Sequence, residues 1–268
     1  MTDRRLRHLV ARAFTFLVVT YSAVALTACF LAERVMFQPP PPSYAAGEFS
    51  FRRIGVAGGD SIAVLYLPGD RAGFTILYSH GNAEDLGHVR PLLVQLHRLG
   101  FGVIGYDYRG YGRSSGGRPT SRKAVADAEA VYRFAIDGLG IQPDRLILHG
   151  RSVGSGPTLE LAARHRVAGV ILESAFTSAY RVITGVGVLP FDRFPNVRYI
   201  REVCCPVLVI HGTHDRVIPI SHGRRLFAMA PEPKQSFWVD GAGHNDLVHT
   251  AGGAYAAALE RFAELIDR

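Results

Sequence analysis

Leu146-Ile147-Leu148-His149-Gly150-Arg151-Ser152-Val153-Gly154-Ser155 runs from a short apolar segment through a glycine-framed serine into a helix-like stretch reaching Arg166. An apolar run of this length, bounded by a turn, reads as a buried strand, and a serine between strand and helix has the setting of a nucleophile elbow. Such a turn holds the serine in a cramped backbone conformation. Side chains at the flanking glycine positions would collide with the neighbouring strand and helix. Ser152 Oγ is therefore expected at the C-terminal edge of a sheet. With 29 glycines in the chain the bare Gly-x-Ser-x-Gly string can arise by chance, so its place between strand and helix carries the signal.

Outward from this stretch, short apolar runs alternate with longer helix-like ones. Phe74–Tyr78, Gly102–Tyr106, Arg145–His149, Ala168–Leu172, Val207–Ile210 and Ser236–Val239 are the buried-strand candidates, in keeping with parallel strands covered on both faces. Phe49–Val56 and Ile62–Leu67 flank Ala57-Gly58-Gly59-Asp60, a hairpin turn, so the sheet is expected to start antiparallel. Ser121–Leu139 places Ala124, Val125, Ala128, Val131, Tyr132, Ala135 and Ile136 at helical spacing, and Ser155–Arg166 and Gly252–Asp267 also read as helices. The class is α/β in three layers. Residues 177–203 interrupt the alternation with aromatic residues among glycines, prolines and arginines, and are expected to form a small lid, an irregular crossover being the alternative.

A serine hydroxyl is a weak nucleophile. A histidine must take its proton and a carboxylate must fix that histidine's tautomer. In this architecture the chain order is serine, acid, histidine. Asp215 follows the Val207–Ile210 run in His211-Gly212-Thr213-His214-Asp215, and His244 follows Phe237-Trp238-Val239 in Gly241-Ala242-Gly243-His244. Both sit past strand ends, on the edge expected for Ser152. Asp192, Asp240, His214, His222 and His249 are rivals that match position and order less well. Oxyanion donors are expected from the backbone amides of Val153, directly after the nucleophile, and Asn82, in Ser79-His80-Gly81-Asn82 after an early strand. His80 itself reads as a buried structural histidine. The glycine-rich Asp107–Gly116 stretch lacks the Gly-Lys-Ser/Thr ending that grips phosphate and does not match the dinucleotide fingerprint.

The 268 residues carry 30 basic and 23 acidic side chains, a formal charge of +7, and 48% hydrophobic residues, which excludes a disordered chain. Only Lys123 and Lys234 are lysines among the basic residues, and Arg4, Arg5, Arg7 and Arg12 crowd the first twelve positions. The remaining charge is dispersed, so a nucleic-acid surface is not expected. Cys29, Cys204 and Cys205 lack zinc or redox spacing; no metal or organic cofactor is implied, and the adjacent pair reads as small buried packing residues. Residues 13–32 carry no charge and would rise roughly 30 Å as a helix, the thickness of a bilayer core. The basic cluster before them keeps that end cytoplasmic, which places the rest on the far side, in a bacterium the periplasm. Leu26-Thr27-Ala28-Cys29 resembles a lipobox, with Cys29 as a lipidation site; the apolar continuation through Phe30 and Leu31 favours a retained span. Residues 1–44 are thus expected to form an anchor and proline-rich linker, and 45–268 the globular domain.

Taken together, these motifs resemble the α/β-hydrolase superfamily of serine hydrolases over roughly residues 35–266. Val35-Met36-Phe37-Gln38-Pro39-Pro40-Pro41-Pro42-Ser43-Tyr44, Ser79–Gly87, Tyr106–Gly112 and Gly241–Asp246 resemble its membrane-attached subgroup that includes eukaryotic palmitoyl-protein thioesterases. That resemblance implies an α/β-hydrolase fold: a mostly parallel central sheet with antiparallel N-terminal strands, helices on both faces and a small lid. It implies hydrolysis of an ester or thioester of a small-molecule or lipid-like acyl substrate. Those relatives anchor through an N-terminal cysteine cluster, whereas this chain has a hydrophobic span with one cysteine. A peptidase of the same fold, or a catalytically idle envelope binding or assembly factor, are the competing expectations.

Overall fold

The computed structural model describes residues 3–48, 50–69, 73–179 and 193–267. The chain divides into two compact units, Met1–Met36 and Phe37–Arg268. The first is a helix, α1 (Asp3–Met36), whose Arg7–Thr27 portion is long and apolar enough to cross a membrane.

The second unit is built on an eight-stranded sheet: β1 (Arg52–Gly55), β2 (Ser61–Leu67), β3 (Thr75–Ser79), β4 (Gly102–Tyr106), β5 (Leu146–Arg151), β6 (Gly169–Glu173), β7 (Val207–Gly212) and β8 (Lys234–Val239). Their spatial order is β1-β2-β4-β3-β5-β6-β7-β8, with β1–β2 and β2–β4 antiparallel and every later pair parallel. The expected hairpin is present: Val56 N–H donates to Asp60 O at 2.9 Å across Gly58 and Gly59, both at positive φ. Of the described residues in the Phe49–Val56 run, Arg52–Gly55 find partners on β2 and form β1.

Period-2 alternation along buried strands sends successive side chains to opposite faces. Ile76, Ile147, Ile171 and Leu208 meet a core completed by Leu86, Leu93 and Leu96 of α2 (Leu86–Arg98) and Tyr255, Leu259 and Phe262 of a C-terminal helix. On the other face lie α3 (Ser121–Arg133) and α4 (Ser155–Ala162), packed on each other, with α4 against β5 and β6. Asp85 caps α2 by accepting from His88 N–H at 3.2 Å, and Thr120 caps α3 through Lys123 N–H at 3.2 Å, each satisfying a free amide of the first turn. The helix read over 121–139 ends its α-helical part at Arg133 and continues as a π turn over Phe134–Gly138. Further on come α5 (Asn196–Tyr199), α6 (Ile220–Met229), α7 (Leu247–Ala251) and α8 (Gly253–Ile266).

Two expectations differ from what is seen, and a third falls largely outside the described residues. The compact unit begins at Phe37, not after residue 44, because Ser43 and Tyr44 are hydrogen-bonded to Asp85 and Asp107 in the domain. Cys204 is exposed and Cys205 half-buried, since they lie in the loop before β7 and not in the core. Of the expected lid, 180–192 lies outside the described residues; its flanks, Thr177–Ala179 and Phe194, are buried in the domain.

Candidate active site

The parallel register brings the loops that matter to one edge. Ser79 of β3 pairs with Gly150 of β5, so the loop carrying Asn82 and the turn carrying Ser152 leave the sheet side by side. At the other pair, Gly212 of β7 is level with Val239 of β8, and the loops to Asp215 and His244 emerge together. His214 N–H donates to Ala242 O at 2.9 Å, joining these two loops directly.

Ser152 begins a single 3-10 turn between β5 and α4 and holds φ at +52°, in the left-handed region that costs a non-glycine residue energy. The flanking glycines are required by space. A Cβ on Gly150 would stand 2.6 Å from Thr158 Oγ1, and one on Gly154 would stand 2.1 Å from the carbonyl oxygen of Ser79. The turn is thus pressed against the residues immediately before the Asn82 loop. Ser155 Oγ–H donates to Ser152 O at 2.6 Å and closes it.

His244 Nε2 lies 3.0 Å from Ser152 Oγ, and His244 Nδ1 lies 2.7 Å from Asp215 Oδ2. The carboxylate can only accept, so Nδ1 carries the proton and Nε2 is left to accept from the serine hydroxyl. Asp215 is buried, which by itself raises a carboxyl pKa, but hydrogen bonds from His211, His244 and the Ile218 amide outweigh burial and hold it well below the usual carboxylate range. Its Oδ1 accepts from Val217 N–H at 2.9 Å and Ile218 N–H at 2.8 Å, while Oδ2 faces both imidazoles.

All five residues expected at the site occupy one sheet edge. Val153 is the second residue of the turn, and Asn82 sits in the adjoining loop, where its Oδ1 accepts from Ala83 N–H, Gln38 N–H and Tyr111 OH. His80 is fully buried and ring-packed between Tyr108 and Tyr111, and burial pushes its pKa down to about 4. The rivals are elsewhere: Asp240 accepts from Thr213, His222 Nδ1 accepts from Thr177, His214 and His249 are exposed, and Asp192 lies outside the described residues.

Sequence reasoning passed over the network behind these residues. Arg151 pairs with Glu84, donates to His244 O at 3.1 Å and Asn245 Oδ1 at 3.0 Å, and approaches Glu173 at 3.4 Å. Glu173, fully buried, accepts from Tyr255 OH at 2.7 Å and meets His149 at 3.2 Å; these partners overcome burial and keep its carboxyl below the usual range. One guanidinium therefore ties together the Asn82 loop, the nucleophile strand and the histidine loop.

Residues 71–189 match a family model described as serine aminopeptidase, S33. The chain is 40% identical over 214 residues to the human α/β hydrolase domain-containing protein 17B, covering 78% of this chain and 72% of that protein. It is 38% identical over 243 residues to the mouse protein 17C, covering 88% of this chain and 73% of that one. Among solved structures, a Pyrococcus furiosus esterase superposes with a TM-score of 0.69 at 15% identity, covering 85% of this chain and 98% of that one. A Rhodococcus esterase superposes with a TM-score of 0.64 at 20% identity, covering 81% and 99%. With the sheet order and these relatives in agreement, this chain belongs to the α/β-hydrolase superfamily, alongside the α/β hydrolase domain-containing 17 proteins.

Proposed function

We propose that this α/β hydrolase is a serine hydrolase that cleaves acyl ester or thioester bonds through an acyl-enzyme, with Ser152 as nucleophile, His244 as general base and Asp215 as its orienting carboxylate. The observation that carries the reading is the His244 ring bridging Ser152 Oγ at 3.0 Å and Asp215 Oδ2 at 2.7 Å. As Ser152 Oγ attacks the carbonyl carbon, its proton passes to His244 Nε2, and the amides of Asn82 and Val153 receive the developing oxyanion. Collapse of the tetrahedral adduct expels the alcohol or thiol, which takes that proton from His244. Water then repeats the sequence on the acyl-enzyme: His244 removes its proton and returns it to Ser152 as the acid leaves.

Resemblance of the Val35–Tyr44, Ser79–Gly87, Tyr106–Gly112 and Gly241–Asp246 stretches to the subgroup containing palmitoyl-protein thioesterases supports an acyl chain as the substrate. The apolar portion of α1, with Arg4, Arg5, Arg7 and Arg12 crowded toward its N-terminal end, supports attachment to a membrane, with the hydrolase unit on the far side from those arginines. The family model's description supports a second reading, cleavage of a peptide bond by the same serine.

Fluorophosphonate labelling of the wild type and of Ser152→Ala tests the nucleophile. The wild type is expected to label at Ser152 and the variant not at all; equal labelling removes Ser152 from the role. A panel of esters, thioesters and aminoacyl amides of increasing chain length then separates the two substrate readings, with acyl esters or thioesters expected to turn over fastest.

A further inference from the structure

Phe37–Tyr44 has the composition of a linker, yet it is bonded to the loop that carries Asn82. Four consecutive prolines, Pro39–Pro42, have no backbone N–H and a fixed φ, so the segment is stiff. Between residues 38 and 43 the only backbone donors are therefore those of Gln38 and Ser43. Gln38 N–H donates to Asn82 Oδ1 at 2.7 Å, and Ser43 N–H donates to Asp85 Oδ2 at 2.7 Å. The proline rod thus staples both ends of the 82–85 loop.

The rod is itself held at each end. Phe37 is buried with its ring edge-on to Phe194, 6.3 Å between centroids, and Tyr44 is buried with its hydroxyl on Asp107. Arg113 Nε donates to Tyr44 O at 3.1 Å.

The loop needs holding. Ala83, next to Asn82, sits at φ +55°, a left-handed conformation that a non-glycine residue keeps only when its surroundings over-determine it. Those surroundings converge on one atom: Asn82 Oδ1 accepts from Ala83 N–H at 2.9 Å, Tyr111 OH at 2.8 Å and Gln38 N–H. Holding that side chain restrains the backbone from which it springs, and with it the Asn82 amide.

We infer that the Phe37–Tyr44 rod, with Tyr111, is a positioning device that aims the Asn82 amide at the oxyanion; this rests on the acyl-transfer reading of Ser152. The rod touches no reacting atom, so its action is through Asn82. It also means that the segment leading from the apolar helix is part of what makes the site competent.

The experiment uses the whole chain in detergent micelles, a short-chain p-nitrophenyl ester and a fluorophosphonate. Gln38→Pro deletes the rod's donor, and Tyr111→Phe deletes the second donor with almost no change of shape. Each is expected to lower kcat about tenfold with KM within about twofold, a fraction of the roughly 10²–10³ that complete loss of an oxyanion donor costs. The phosphonylation rate should fall in step, while the pH midpoint of kcat/KM stays where the wild type has it, because His244 and Asp215 are untouched. Should Gln38→Pro not fold, Tyr111→Phe decides alone. Wild-type kcat in the folded variants, or a loss of kcat that moves the pH midpoint with it, overturns the inference while leaving Ser152 labelling intact. Absence of Ser152 labelling in the wild type removes the acyl-transfer reading itself, and the inference with it.

Discussion

Asp215 keeps its charge in a buried place because two backbone amides and two imidazoles surround it. Its folded-state pKa lies below the ordinary value of 3.8, so its ionised form stabilises the fold fully above about pH 4, and that stabilisation is lost as pH falls through the carboxylate range and below. Asp215→Asn should therefore melt lower than the wild type at pH 7, and its melting temperature should decline less between pH 6 and pH 3. Catalysis should suffer more than folding does. An asparagine can present its amide to Nδ1 and leave the wrong tautomer facing Ser152, so kcat for ester hydrolysis is expected to drop by about 10³–10⁴-fold. A drop of less than tenfold would mean that another group orients His244. Ser152, Asp215 and His244 were legible in the sequence because each stands directly after an apolar strand, where a local pattern marks it. Arg151, Glu84 and Glu173 were not, since their pairing depends on two strand ends and a loop far apart in the chain, and a lone arginine in a Gly-x-Ser-x-Gly string gives no hint of its partners.

Between elements, one tight fit is where the turn after β5 meets the end of β3. A methyl group on Gly154 would lie 2.1 Å from the carbonyl oxygen of Ser79, the last residue of central strand β3, and 2.7 Å from that of His80 just beyond it, both backbone atoms with little room to step aside. Gly154→Ala is expected to destabilise the protein by about 3 kcal/mol, the upper part of the usual range for overpacking, read from urea unfolding. Because the displaced atoms lead straight into the Asn82 loop, the folded remainder should also lose kcat. Parallel strands in this fold were readable as apolar runs, and Gly102–Tyr106 was read with its observed bounds. Strand ends were less so: β5 runs on through Gly150 and Arg151 because pairing with β6 continues to Arg151 opposite Glu173, a partner the apolar pattern does not register. Likewise the proline run reads as a spacer from composition, and only the distant acceptors Asn82 and Asp85 turn it into a bonded strut.

For the whole molecule, the question is whether, and through which group, the proposed membrane attachment is made. The helix α1 offers 21 residues, Arg7–Thr27, of sufficient length and apolarity, and the alternative raised by the sequence is an acyl anchor on Cys29. The two anchors fail differently. A retained span depends on apolar side chains, and an arginine near the middle of such a helix costs about 2.5–3.5 kcal/mol to insert. Two acyl chains on Cys29 would depend on that sulfur and would tolerate changes upstream, which processing removes. With a retained span, the chain should stay in the membrane pellet through an alkaline carbonate wash, Cys29→Ala should stay with it, and Leu17→Arg with Val18→Arg should move to the supernatant. Release of Cys29→Ala, together with a mature chain whose mass begins at Cys29, would assign the anchor to lipid. The first outcome carries a further consequence for the site: the proline rod that staples the Asn82 loop would then be covalently continuous with a helix fixed in the bilayer, and detergent extraction should leave kcat intact only as long as Gln38 and Ser43 keep their acceptors.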